Sequence, residues 1–118
     1  MTQQPRFPDP AVQRMQASGQ DIPWLLDFWA GRRPDHPALI WEARDGSTRE
    51  WTYRQLRDDV GRVAAGLARR GVGPGDKLLV HAENCPEFVL AWLGAAAAGA
   101  VAVTTKTKSV AAEIRYFI

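Results

Sequence analysis

Lys77-Leu-Leu-Val-His-Ala-Glu-Asn-Cys-Pro-Glu-Phe-Val-Leu-Ala-Trp-Leu-Gly-Ala-Ala-Ala-Ala-Gly-Ala-Val-Ala-Val-Thr104 is the stretch on which the fold class turns. It opens with a short, mostly apolar run, Lys77–Ala82, and closes with another, Ala100–Thr104, and both read as buried strands. Between them Asn84 is placed to cap a helix, with Pro86 in the first turn and Glu87 at the third position. From Phe88 to Leu93 that helix is apolar on nearly every side, which predicts enclosure by other structure, and Gly99 stops it. The 17 residues between the strands suffice for a crossover through a helix. Strand, helix and strand then form a right-handed βαβ unit with parallel strands.

Outward toward the N-terminus, Gly71-Val-Gly-Pro-Gly-Asp76 leads into the first strand as a turn. It is not a phosphate loop, because such loops follow a strand and open a helix, and here the order is reversed. Before it lies a clean helical stripe, Leu56, Val60, Val63, Ala64 and Leu67. Thr52 and Gln55 have capping-box spacing, Arg54–Asp58 and Asp58–Arg62 are four apart, and Gly71 suits the position after the helix end. Further back, Ala38–Glu42 and Arg49–Tyr53 flank an Asp45-Gly46 step, a hairpin signal. Trp24, Leu25, Phe28 and Trp29 mark a short amphipathic helix that starts near Asp21 and Pro23 and ends by Gly31 and Pro34. Residues 1–21 carry Pro5, Pro8 and Pro10 without apolar periodicity and read as a flexible arm. A last helix is expected from Ser109, with Val110, Ile114, Phe117 and Ile118 on one face. The class is α/β: a hairpin and a helix, then the βαβ unit.

Composition narrows the functions. The 118 residues hold 15 Lys and Arg against 13 Asp and Glu, a net charge of +2 spread evenly along the chain, which argues against a nucleic-acid partner. A single cysteine, Cys85, excludes an internal disulfide and a multi-cysteine zinc site and suits a reducing compartment. The longest uncharged run, Phe88–Val103, is too short to span a membrane, and the N-terminus has no signal-peptide core. A cytoplasmic location is the expectation.

Few residues carry chemistry. His36 and His81 have no partners at ligand spacing, and Cys85 has no neighbouring base. Most of the five tryptophans sit in apolar stripes or strands, which points to core packing. Thr104-Thr-Lys-Thr-Lys-Ser109 is different. It follows the C-terminal end of a parallel strand, where open α/β sheets bind ligands, and its two lysines and three threonines suit a phosphate. From these residues alone a solvated loop with a Ser cap is the preferred reading, and a phosphate site is the alternative.

Taken in order, Pro37-Ala-Leu-Ile40, Trp51-Thr-Tyr-Arg-Gln-Leu56, Ala65-Gly-Leu67, Gly71-Val-Gly-Pro-Gly-Asp-Lys77, Asn84-Cys-Pro-Glu-Phe88, Trp92-Leu-Gly94 and Gly99-Ala-Val-Ala-Val103 resemble the opening of the AMP-forming acyl-CoA synthetases. That superfamily also holds luciferases and peptide-synthetase adenylation domains, and the Asn84–Phe88 step looks most like carnitine/crotonobetaine-type CoA ligases. The resemblance implies an incomplete piece of a larger adenylating domain, with residues 22–118 its N-terminal subdomain. It implies a parent enzyme that makes an acyl-adenylate from a small carboxylic acid and Mg2+·ATP, then passes the acyl group to CoA. The Ser/Thr/Gly-rich ATP loop, the ribose-binding Asp and the catalytic Lys of that family are absent from these 118 residues and are expected beyond Ile118. The chain alone is therefore expected to be inactive, to bind ATP, Mg2+ and CoA poorly, and to self-associate through apolar faces meant for the remaining domain. The rival reading is a stand-alone, non-catalytic interaction module built on the same subdomain. The resemblance also transfers one role. Lys108 stands where many relatives have an Arg that approaches the phosphates of CoA, and Lys106 stands where they have an Asn.

Overall fold

The computed structural model describes residues 20–117, so residues 1–19 of the expected arm lie outside the described part. Helix α1, Ile22–Arg32, opens under an Asp21 cap: the Trp24 amide donates to Oδ1 at 2.9 Å. Its aromatic face reaches helix α2, Tyr53–Arg69, through Trp29 stacked on Tyr53 with ring centroids 6.3 Å apart. Strands β1, Pro37–Glu42, and β2, Thr48–Thr52, form the expected antiparallel hairpin. Its turn has Gly46 at φ 83°, and Asp45 Oδ1 accepts from the Ser47 amide at 2.9 Å and from its hydroxyl at 2.6 Å. Tyr53, expected to end the second strand, instead opens α2.

The capping box forms as the spacing predicts. Gln55 N–H donates to Thr52 Oγ1 at 3.2 Å, and Thr52 N–H donates to Gln55 Oε1 at 2.9 Å. At the far end Gly71, at φ 84°, donates to the Ala68 carbonyl while Val72 donates to that of Leu67, a Schellman closure. The i,i+4 ion pairs expected on α2 do not form. Arg54 turns to Asp35 at 3.4 Å and Arg62 to Asp59 at 2.7 Å, while Asp58 meets Arg57 at 3.7 Å.

Strand β3, Lys77–His81, helix α3, Pro86–Ala97, and strand β4, Val101–Thr105, make the βαβ unit, with β3 and β4 parallel in register from Lys77↔Val101 to His81↔Thr105. Three expectations need correction. The residue capping α3 is Cys85, not Asn84, and it makes no side-chain capping bond. Nor is α3 enclosed: only Pro86, Gly94 and Ala95 are buried, and Trp92 stays 40% exposed, because one helix face meets α2 while two strands cannot cover the rest. Tryptophan packing holds for Trp51, whereas Trp24 and Trp92 are only partly covered, at 38% and 40% exposed. The core is small: Trp51, Leu56 and Val60, with Leu26, Leu39, Leu90 and Leu93 packed around them. Helix α4, Ala111–Phe117, starts two residues later than expected. Among the described residues no helix is long and apolar enough to cross a membrane.

Candidate functional site

The C-terminal ends of β3 and β4 open onto two clefts that share one wall. Thr104, Thr105 and Lys106 line both. On one side is a cleft of about 850 Å³ whose other walls are the end of the hairpin, Trp41 to Arg44, and the segment Ala82 to Asn84 with Phe88. On the other is a cleft of about 530 Å³ closed by Ser109, Ala112, Glu113 and Tyr116. Lys106 therefore stands at the partition. Lys108 is exposed and is not among the residues lining either cleft.

Local hydrogen bonds set this partition. Ser109 N–H donates to the Lys106 carbonyl at 2.9 Å, closing a four-residue turn that carries both lysines. Val110 N–H then donates to Glu113 Oε2 at 3.2 Å as α4 begins, so the residue before the helix is Val110 and not the Ser109 that the sequence suggested as its cap. On the strand side, Nδ1 of His81 lies 2.7 Å from Thr105 Oγ1. Among the described residues the ammonium groups of Lys106 and Lys108 take part in no ion pair. The larger cleft balances Arg44 and Lys106 against Glu42 and Glu83. The turn is thus the basic feature here, and the hairpin end supplies an aromatic wall, Trp41, that the order of motifs did not suggest.

The remaining candidates stay apart from this place. His36 Nδ1 meets the Pro37 carbonyl oxygen at 2.8 Å, a local contact. Cys85 is a half-buried free thiol on an apolar groove of about 300 Å³ with Leu39, Trp41, Phe88 and Trp92. Gly71 to Asp76 is a turn, with Gly73 N–H donating to Asp76 Oδ2 at 2.8 Å. Among the described residues no group of three or more His, Cys, Asp or Glu side chains is arranged to hold a metal ion, so no step through Mg2+ is assigned to them.

With this geometry in place, similarity to known proteins is informative. Over 100 residues the chain is 32% identical to the crotonobetaine/carnitine–CoA ligase of Salmonella typhi, covering 85% of this chain and 19% of that protein. The fold superposes on the N-terminal subdomain of Klebsiella oxytoca NpsA in complex with 3-hydroxyanthranilyl-AMSN, with a TM-score of 0.73 and 29% identity over 81% of this chain and 23% of that one. It matches in fold the fatty acyl-adenylate ligase of L. pneumophila, solved with acyl adenylate and pyrophosphate, with a TM-score of 0.70 over 76% of this chain and 16% of that one. The chain thus spans about a fifth of the length of the curated relatives it matches. Residues 26–118 match the family described as AMP-binding enzyme, and the chain belongs to that family.

Proposed function

We propose that the chain is the N-terminal portion of an ATP-dependent, AMP-forming acyl-CoA ligase, which converts a carboxylate, ATP and CoA to acyl-CoA, AMP and pyrophosphate. The observation that carries this reading is the place of the Lys106–Ser109 turn. It follows the C-terminal end of a parallel strand, between two clefts, in a chain 32% identical to a CoA ligase. In this reading the ammonium groups of Lys108 and Lys106 face the phosphates of CoA as point charges. Adenylation itself, with Mg2+, belongs to residues outside these 118, so the chain alone is inactive. The acid is small and polar or short-chain, after the resemblance of the Asn84–Phe88 step to carnitine-type ligases. A reducing, cytoplasmic setting fits the lone Cys85.

The test uses the complete protein that carries this chain. ATP–pyrophosphate exchange over a panel of carboxylic acids should select short polar acids, and adding CoA should release the acyl thioester with AMP. The isolated chain should do neither. Exchange by the isolated chain above a heat-killed control would overturn its inactivity, and exchange without thioester in the complete protein would overturn CoA as the acceptor.

A further inference from the structure

We propose that His81 is a positioning residue for the basic turn: by holding Thr105 it fixes where Lys106 and Lys108 stand, and so how tightly the turn takes the phosphates of CoA. This rests on the reading of the turn given above. His81 and Thr105 are the last register pair of the parallel ladder, and their side chains meet at 2.7 Å. Lys106 comes next, and the Ser109 amide closes on its carbonyl at 2.9 Å. The two lysines are therefore suspended between two fixed points, and one of those is a side-chain bond.

Strand ends are where ladders open first, so an end held only by its backbone lets the following turn wander. A Lys meets a phosphate as a point charge, with an attraction that falls as the separation grows. Loosening the base of the turn thus weakens the contact without touching either lysine. The bond is also indifferent to which ring nitrogen of His81 carries the proton, because a threonine hydroxyl both donates and accepts. The pair behaves as a clamp.

The experiment again uses the complete enzyme. Thr105→Val removes only the hydroxyl and keeps the β-branched shape a strand prefers, while His81→Leu removes the ring nitrogen. Each should raise the KM for CoA about two-fold, the low end for one lost hydrogen bond because the pair is exposed and less than the loss of either lysine, and leave ATP–pyrophosphate exchange at its original rate. The double variant should be no worse than either single one, and Thr105→Ser should restore the original KM. An unchanged CoA KM in Thr105→Val, where Lys106→Ala raises it, would overturn the positioning role and leave the CoA reading standing. If Lys106→Ala and Lys108→Ala also leave the CoA KM alone, the CoA reading fails and the role of His81 falls with it. A parallel loss of exchange in Thr105→Val would make the pair a support of the whole fold, which equally overturns the proposal.

Discussion

Val63 on α2 and Gly94 on α3 meet so closely that a Cβ placed on Gly94 would lie 2.8 Å from Val63 Cβ. Valine cannot turn away, since its Cβ is fixed to the backbone and its branches are stiff. Gly94→Ala therefore sets a helix-propensity gain of about 1 kcal/mol against an overpacking cost of about 1–3 kcal/mol, and the clash should win. Gly61, on the open face of α2 with nothing within 4 Å of its added Cβ, shows the opposite case. Gly61→Ala should stabilise by about 0.5–1 kcal/mol. Thermal unfolding of the two variants should move the midpoint in opposite directions, and Val63→Ala should recover part of the loss in Gly94→Ala.

Trp51 joins the hairpin to the helices by more than its area. It is buried, its Nε1–H donates to Asp59 Oδ2 at 2.9 Å, and the Arg49 guanidinium lies over its ring at 4.7 Å. Trp51→Phe keeps an aromatic ring but leaves a gap and deprives a half-buried carboxylate of one of its two donors, the other being Arg62. A loss of about 1.5–3 kcal/mol in denaturant unfolding is expected. Asp59→Asn keeps an acceptor for the indole and should cost less.

Acid should loosen the tie between β2 and α3. Glu87 is held below a glutamate's ordinary pKa, first by its own backbone N–H at the start of α3 and then by Arg49, whose guanidinium lies 3.1 Å away. A carboxylate depressed on folding adds stability that is complete above its unfolded value, about 4.3, and is lost as pH falls through the folded one. Asp45 behaves in the same sense, lowered first by the Ser47 hydroxyl and then by the Ser47 amide. Both groups are solvent-exposed, so the effect is small. Between about pH 6 and about pH 3 the unfolding midpoint of Glu87→Gln should fall less than that of the original chain.

Local signals were legible where the chemistry is local. The Thr52–Gln55 box, the Gly71 closure and the Asp45-Gly46 turn all depend on residues a few positions apart, and each formed as its spacing predicts. The parallel pairing of β3 with β4 was legible too, because a crossover helix leaves little choice of hand or direction. What the sequence hid depends on distant neighbours. Arg54 pairs with Asp35 outside its own helix, and Trp92 is only partly covered, beside Leu39 and Trp41 of the hairpin. The candidate site divides the same way. The lysine turn was readable from its place after a strand, whereas the hairpin wall at Trp41 and the His81–Thr105 bond required the register of elements far apart in the chain.

Exposed apolar side chains should set the behaviour of the 118-residue chain in solution. Ile40 is 64% exposed, Val101 53% and Trp92 40%, and Trp92 borders the apolar groove that runs along α3. Such surface drives association. Sedimentation velocity should show mass rising with concentration, and Trp92→Lys should shift the chain toward monomer. A monomer at every concentration, with a sharp thermal transition, would mean that these side chains are too scattered to act as a patch.

The lysine turn is best tested by salt. Lys106 and Lys108 are exposed, so each contact with a CoA phosphate would be screened and worth about 1 kcal/mol or less. Lys106→Ala or Lys108→Ala in the complete enzyme should then raise the CoA KM about three- to five-fold at low salt. Raising the ionic strength from about 0.1 M to about 1 M shortens the screening length from about 10 Å to about 3 Å, and the difference from the original enzyme should shrink with it. Lys108→Arg supplies a planar fork that grips two phosphate oxygens at once, so it should lower the CoA KM and keep more of its effect in salt. If the alanine variants instead slow ATP–pyrophosphate exchange and leave the CoA KM where it was, the turn serves the nucleotide or the fold, and the phosphates of CoA lie elsewhere.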